Sequence, residues 1–219
     1  MEDKTLKYGM PTHKDCIKNK NIRTYSAMIL QSFYTPNDIV DDRRFIYCKD
    51  FKIEKVMEQM NVSKRTIQRN IVALIKSGLI EVVETKDNGC VYKFNYKVDN
   101  KYFVEVEHDI LTSLVTSTNS RMVSLYLLLK YHLKDGRKQM TQEYIANQIG
   151  MSVNSRKEIK QMLNDLAKLG LIAIYEKEGL TTYQTDKGVI KTRPVKELWY
   201  ELRTHEEWAF LNTHIRQKI

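Results

Sequence analysis

Two stretches of this chain repeat each other without a gap. Residues 63–80 read SKRTIQRNIVALIKSGLI and residues 155–172 read SRKEIKQMLNDLAKLGLI, an offset of 92. Identities fall at Ser63/Ser155, Ile67/Ile159, Leu74/Leu166, Lys76/Lys168, Gly78/Gly170, Leu79/Leu171 and Ile80/Ile172. Just upstream the offset is 89: Val56-Met57 stands opposite Ile145-Ala146, Met60 opposite Ile149, and Ser63 opposite Ser152. The second copy therefore carries three extra residues in its turn. Amphipathic helices ending in glycine resemble one another by default. The shared order of helix, turn, helix, glycine and strand goes further and points to two copies of one supersecondary unit.

Local signals fill in the rest of each copy. Residues 24–34 read as a helix, with Met28, Ile29 and Phe33 as core candidates and Pro36 as its breaker. Residues 44–47 form a short strand. A helix over 52–60 buries Val56, Met57 and Met60. Ser63 caps the next helix by accepting a bond from a free backbone N–H, and Ile67, Ile71, Leu74 and Ile75 face inward. Gly78 supplies the left-handed helix end. Strands over 79–84 and 90–96 flank Asp87-Asn88-Gly89, a hairpin signal because Asn-Gly readily takes positive φ. In the second copy the pattern predicts a strand over 102–107, a short helix over 109–115 and an apolar helix over 120–133. A Thr141-capped helix over 142–149 follows, then a helix over 155–169 and a strand over 171–175.

This pattern resembles the winged helix-turn-helix. The resemblance implies a mainly α fold with small β-hairpins, α+β in class, built from two winged helix-turn-helix domains in tandem. It divides the chain into a polar arm (1–20), a first domain (21–99), a second domain (100–185) and an extension with a helix (186–219). A tandem pair in a chain of 219 residues is similar to the replication initiators of bacterial plasmids and phages. The second helix of a helix-turn-helix enters the major groove with its N-terminal residues at the base edges. Arg pairs bidentately with guanine, and Gln or Asn with adenine. Gln68, Arg69 and Arg65 are thus the base-reading candidates. Ser63, Lys64 and Thr66 are phosphate candidates, aided by the positive helix end. Lys86 and Asn88 at the first hairpin tip are candidates for the backbone or minor groove.

Residues 63–77 contain four Lys/Arg and no acid. The second copy offers Arg156, Lys157 and Lys160 as DNA contacts, but Glu158 and Asp165 dilute its charge. It either holds phosphates or serves mainly to dimerise. The net charge of +9 attracts polyanions and is evenly spread: residues 1–100 carry 18 Lys/Arg against 13 Asp/Glu, and residues 101–219 carry 18 against 14. In the tail, Leu198, Trp199 and Leu202 read as one face, and Trp208, Leu211 and Ile215 as a face of a final helix. That stripe packs on the second domain or forms a dimer seam, the first being the commoner use.

Other chemistries lack their residues. Cys16, Cys48 and Cys90 show no metal-site spacing, and their odd number suits separate thiols in a reducing cytoplasm. His205-Glu206-Glu207-Trp208 opens like a zinc-binding helix but lacks the second histidine four residues on. His13, His108, His132 and His214 read as isolated. No phosphate-binding glycine loop ending in Gly-Lys-Ser/Thr occurs, nor a His-x-His pair of the nicking initiators. No apolar run approaches the ~18–20 residues of a membrane span. The sequence therefore predicts a cytoplasmic DNA-binding protein rather than an enzyme, with no cofactor or metal and no membrane partner. Double-stranded DNA is its expected ligand, with a second copy and host replication proteins as further partners. The leading role is origin binding. A transcription regulator on an operator is the alternative, and a protein-interaction scaffold the second alternative. The scaffold fits less well, because interaction cores are depleted in charge.

Overall fold

The computed structural model describes residues 6–33, 44–85, 89–95, 102–185 and 188–216. The fold is α+β, with helices packed on small antiparallel sheets. The chain divides into two compact units, Met1–Tyr131 and His132–Ile219.

In the first unit, strand Lys7–Pro11 (β1) and the short helix Lys14–Ile17 (α1) precede helix Ile22–Ile29 (α2). Strand Phe45–Tyr47 (β2), helix Ile53–Met60 (α3), helix Lys64–Lys76 (α4) and strands Ile80–Thr85 (β3) and Gly89–Phe94 (β4) follow. These three strands form one sheet in the order β2-β4-β3, with Ile46 opposite Tyr92 and Val82 opposite Tyr92 on its other edge. In the core, α2 is buried almost throughout and packs on α3 and α4, while α4 packs on β3. Ile22, Tyr25, Met28 and Ile29 from α2 meet Val56, Met60, Ile67, Leu74, Ile80 and Phe94 among the buried residues. The Tyr25 and Phe94 rings meet edge to face at 5.3 Å, a favoured aromatic geometry.

Residues 1–20 are not simply a polar arm. β1 pairs antiparallel with strand Phe103–Glu107 (β5), and Tyr8, Met10 and Ile17 are buried. The Arg44 guanidinium lies 4.6 Å over the Tyr8 ring and donates to Ser32 Oγ and O at 2.6 and 2.7 Å. Helix His108–Ser117 (α5) then packs on α2 and α3. Arg23 Nε donates to Val115 O at 2.8 Å. These contacts tie residues 102–131 to the N-terminal half, so the expected boundary at 99/100 lies inside the first unit. The expected helix over 24–34 also shifts. α2 ends at Ile29, and Phe33, 38% exposed, makes an isolated bridge with Phe45 instead of joining the core.

Along the chain the second copy follows the same element order, although its opening helix falls mostly within the first unit. Helix Ser120–Leu133 (α6) leads to the short strand Lys138–Gln139 (β6), helix Gln142–Gln148 (α7) and helix Arg156–Lys168 (α8). Strands Ile172–Gln184 (β7) and Ile190–Leu202 (β8) form a long hairpin in a sheet of order β6-β8-β7. This corrects the tail. Residues 190–202 are a strand, so Leu198 and Leu202 share one face and Trp199 lies on the other. Helix His205–Arg216 (α9) ends the described chain. A Cβ on Gly170 would lie 3.4 Å from Leu211 and 3.7 Å from Trp208, and Trp208 is buried. Within the second unit this stripe packs. The side chain of Ile215 lies outside the described residues.

The two copies agree in backbone detail. Leu79 N–H donates to Leu74 O at 3.1 Å, and Leu171 N–H to Leu166 O at 3.0 Å. Gly78 and Gly170 take φ of +71° and +72°, which glycine adopts without steric cost. Asn61 and Gly150 are likewise left-handed, at φ 51° and 72°. Val62 N–H then reaches Met57 O at 3.2 Å, and Met151 N–H reaches Ala146 O at 2.8 Å. The three extra residues sit between Ser152 and α8. One expectation is overturned: Cys48 and Cys90 are not separate thiols. Cys48 N–H donates to Cys90 O at 2.9 Å, and the two sulfurs form a disulfide across Cα atoms 5.5 Å apart.

Candidate nucleic-acid interface

The candidate surface begins at the tight turn between α3 and α4. Left-handed Asn61 reverses the chain within three residues, and Ser63 Oγ accepts the Thr66 N–H at 3.3 Å. With Ile67, Ile71 and Leu74 buried, the opposite face presents Lys64, Arg65, Gln68, Arg69, Val72 and Lys76 to solvent. At a rise of ~1.5 Å per residue these side chains span ~18 Å. Lys64 Nζ lies 3.5 Å from Glu54 Oε1, with both side chains more than half exposed. Such a surface pair is worth roughly 0–1 kcal/mol and is readily exchanged. Among the described residues neither Arg65 nor Arg69 makes an ion pair. The Ser63 and Thr66 hydroxyls lie 3.0 Å apart and close the helix start. Lys86 and Asn88 lie outside the described residues.

The corresponding face of α8 presents Arg156, Lys157, Lys160, Gln161, Asn164 and Lys168. Arg156 is 3.9 Å from Glu143. Asp165 accepts from Gln161 Nε2 at 2.8 Å and from Lys168 Nζ at 3.4 Å. Gln161 and Asn164 were not singled out from the sequence. The 92-residue offset would have found them, since it carries Arg69 onto Gln161 and Val72 onto Asn164. The long hairpin was missed too. Its outer part brings Arg193 and Lys196 to one groove of about 570 Å³ with Arg156 and Glu143. Lys196 holds Glu176 at 2.9 Å, and Arg193 lies 5.6 Å from the Tyr183 ring centre.

Several titratable groups have structural partners. Tyr144 OH and His132 Nε2 are 3.0 Å apart, and burial, with Lys138 nearby, holds His132 below its ordinary value. Burial pushes the Cys16 thiol up to about 11, which removes thiolate reactivity at neutral pH. Among the described residues no three His, Cys, Asp or Glu side chains gather as metal ligands, and no helix is long and apolar enough to cross a membrane. Comparisons with protein-family models, curated proteins and solved structures found no match to this chain.

Proposed function

We propose that the protein binds double-stranded DNA in a sequence-specific manner through two winged helix-turn-helix modules, as the origin-binding initiator of a plasmid or phage. The observation that carries this reading is the acid-free exposed face of α4, set at a helix–turn–helix and followed by the β3–β4 hairpin. Arg65, Gln68 and Arg69 read base edges, whereas Lys64 and the N-terminal end of α4 hold phosphates. The recurrence of the same element order and sheet order in the second copy supports a tandem reader. Lys157, Lys160 and Arg156 make its backbone contacts, and Gln161 and Asn164 are its base-edge candidates. The origin role rests on the likeness in domain order and length. It implies host replication proteins or a second copy as partners and a cytoplasmic setting, against which the Cys48–Cys90 disulfide stands, since such bonds are rare in reducing compartments.

Selection from random-sequence duplexes with the full chain tests this reading. The expected result is an enriched word whose log affinity falls linearly with log salt. A plasmid that carries this word but lacks its own initiator then replicates only when the protein is supplied. Repression of an adjacent promoter without replication assigns the same surfaces to an operator. Absence of salt-dependent duplex binding overturns both roles and leaves the interaction scaffold.

A further inference from the structure

The exposed, cation-bearing face of α4 also carries one large apolar side chain, Val72. Val72 is 50% exposed, while its neighbours Ile71 and Leu74 fill the core at 6% and 0%. Positions 65, 69, 72 and 76 follow the i, i+4, i+7, i+11 spacing of one helix face, so Val72 stands in line with Arg65, Arg69 and Lys76. The equivalent position in α8 is the exposed Asn164, so the shared architecture does not demand an apolar group there. A single valine between two cations is also far too small for a protein interface, which buries about 800 Å² per partner.

We propose that Val72 is a specificity-determining residue that packs on the C5-methyl group of a thymine. The inference rests on the reading that α4 lies in the major groove. Each base pair there offers hydrogen-bonding groups, and thymine alone adds a methyl. With a rise of ~1.5 Å per residue, Val72 lies ~10 Å along the axis from Arg65, roughly three base-pair steps of 3.4 Å. Its branched side chain is stiff at χ1, so it loses little freedom on contact. It has no polar atom with which to hold a phosphate. The ligand class becomes thymine-bearing duplex DNA, distinguished from the same sequence carrying uracil.

The probe is a set of duplexes carrying the selected word, each with one thymine replaced by deoxyuridine, a change that removes only the methyl. Wild-type protein is expected to lose roughly fourfold in affinity at one thymine, the value of one buried methyl group. Val72→Ala should lose that sensitivity while keeping its preference at the other positions. Val72→Thr, which retains a methyl, should keep part of it. Because Val72 is half exposed, the variants should melt with the parent, which separates recognition from folding. Wild-type binding indifferent to uracil at every position overturns the inference and leaves the major-groove reading intact. So does a Val72→Ala variant with unchanged sensitivity. A failure to select any word overturns both together.

Discussion

Lys64 and Arg69 sit little more than one turn apart on α4, and under the proposed DNA binding the chemistry of their side chains gives them different tasks. Lys64 is a flexible point charge already sharing a surface pair with Glu54. Arg69 presents a planar fork without an ion pair among the described residues, the form suited to guanine. Arg69→Ala is expected to cost about 1–3 kcal/mol of binding and to relax preference at one base pair. Lys64→Ala should weaken all sequences alike and flatten the salt slope by about one contact. Titrations of both variants on the selected word and on scrambled duplexes, over a range of salt, read the difference. Sequence-blind loss in both would show that Arg69 holds phosphate as well. A second residue pair governs stability instead. Lys130 Nζ donates to Glu107 at 2.7 Å, with both side chains largely buried. Burial pushes the Glu107 carboxyl up, but the hydrogen bond and charge of Lys130, together with a backbone hydrogen bond and the charge of Lys7, outweigh it and hold it below its ordinary value. A depressed carboxyl stabilises the fold above its unfolded pKa, and that contribution is lost as pH falls through the folded one. Lys130→Met should therefore cost about 2 kcal/mol at pH 7, less than the roughly 3–5 for breaking a fully buried pair. The gap from wild type should narrow as pH falls, beginning where the variant's burial-raised Glu107 takes up its proton and ending at the depressed wild-type value. Urea unfolding at two pH values checks this, and a gap independent of pH would assign the loss to packing.

At the scale of elements, the two glycine-terminated helices show what a sequence reveals and why. The end of α4 and the end of α8 are local events. An inward stripe, a residue able to take positive φ and an apolar strand start lie within eighteen residues, so the repeat and the shared order of helix, turn, helix, glycine and strand were legible. Gly78→Ala should cost about 1–2 kcal/mol, because Cβ meets no neighbour there but the left-handed backbone remains unfavourable. Gly170→Ala carries the same strain, and its Cβ meets Leu211 and Trp208 only at ordinary van der Waals distance, so its cost should be no larger. Denaturant unfolding of the two variants measures both. Elements made by distant pairing were less legible. β1 is recognisable only through β5, some 95 residues away, and nothing in its composition announces a partner. The outer part of the β7–β8 hairpin is solvated on both faces, with Leu180 and Ile190 at 75% and 72% exposure. It therefore lacks the alternation that marks a half-buried strand, and Leu198, Trp199 and Leu202 could pass for a helix face. The Cys48–Cys90 pairing depends on the register of β2 against β4, which cysteine spacing does not contain.

For the molecule as a whole, the proposed DNA binding takes one of two forms, with both copies reading or with one reading and the other supporting it. Charge is divided almost evenly between the halves of the chain, but its presentation differs. The exposed face of α4 carries no acid, whereas α8 offsets its cations with Glu158 and Asp165 and holds Gln161 through the latter. A second DNA-bound module makes the first one's rebinding intramolecular, with avidity gains of roughly 10²–10⁴ over a single module. Reversing Lys157 and Lys160 to Glu in the full chain should then lower affinity for the selected word by about a hundredfold or more. The slope of log affinity against log salt should fall by about one for each phosphate contact removed. Reversing Arg65 and Arg69 to Glu should do the same and also erase the preferred word. The comparison is informative because all four side chains are exposed, so unfolding profiles should stay with the parent. If the α8 variant keeps both its affinity and its salt slope, the second copy makes no DNA contact, and sedimentation of that variant would report whether its helix face joins two chains instead.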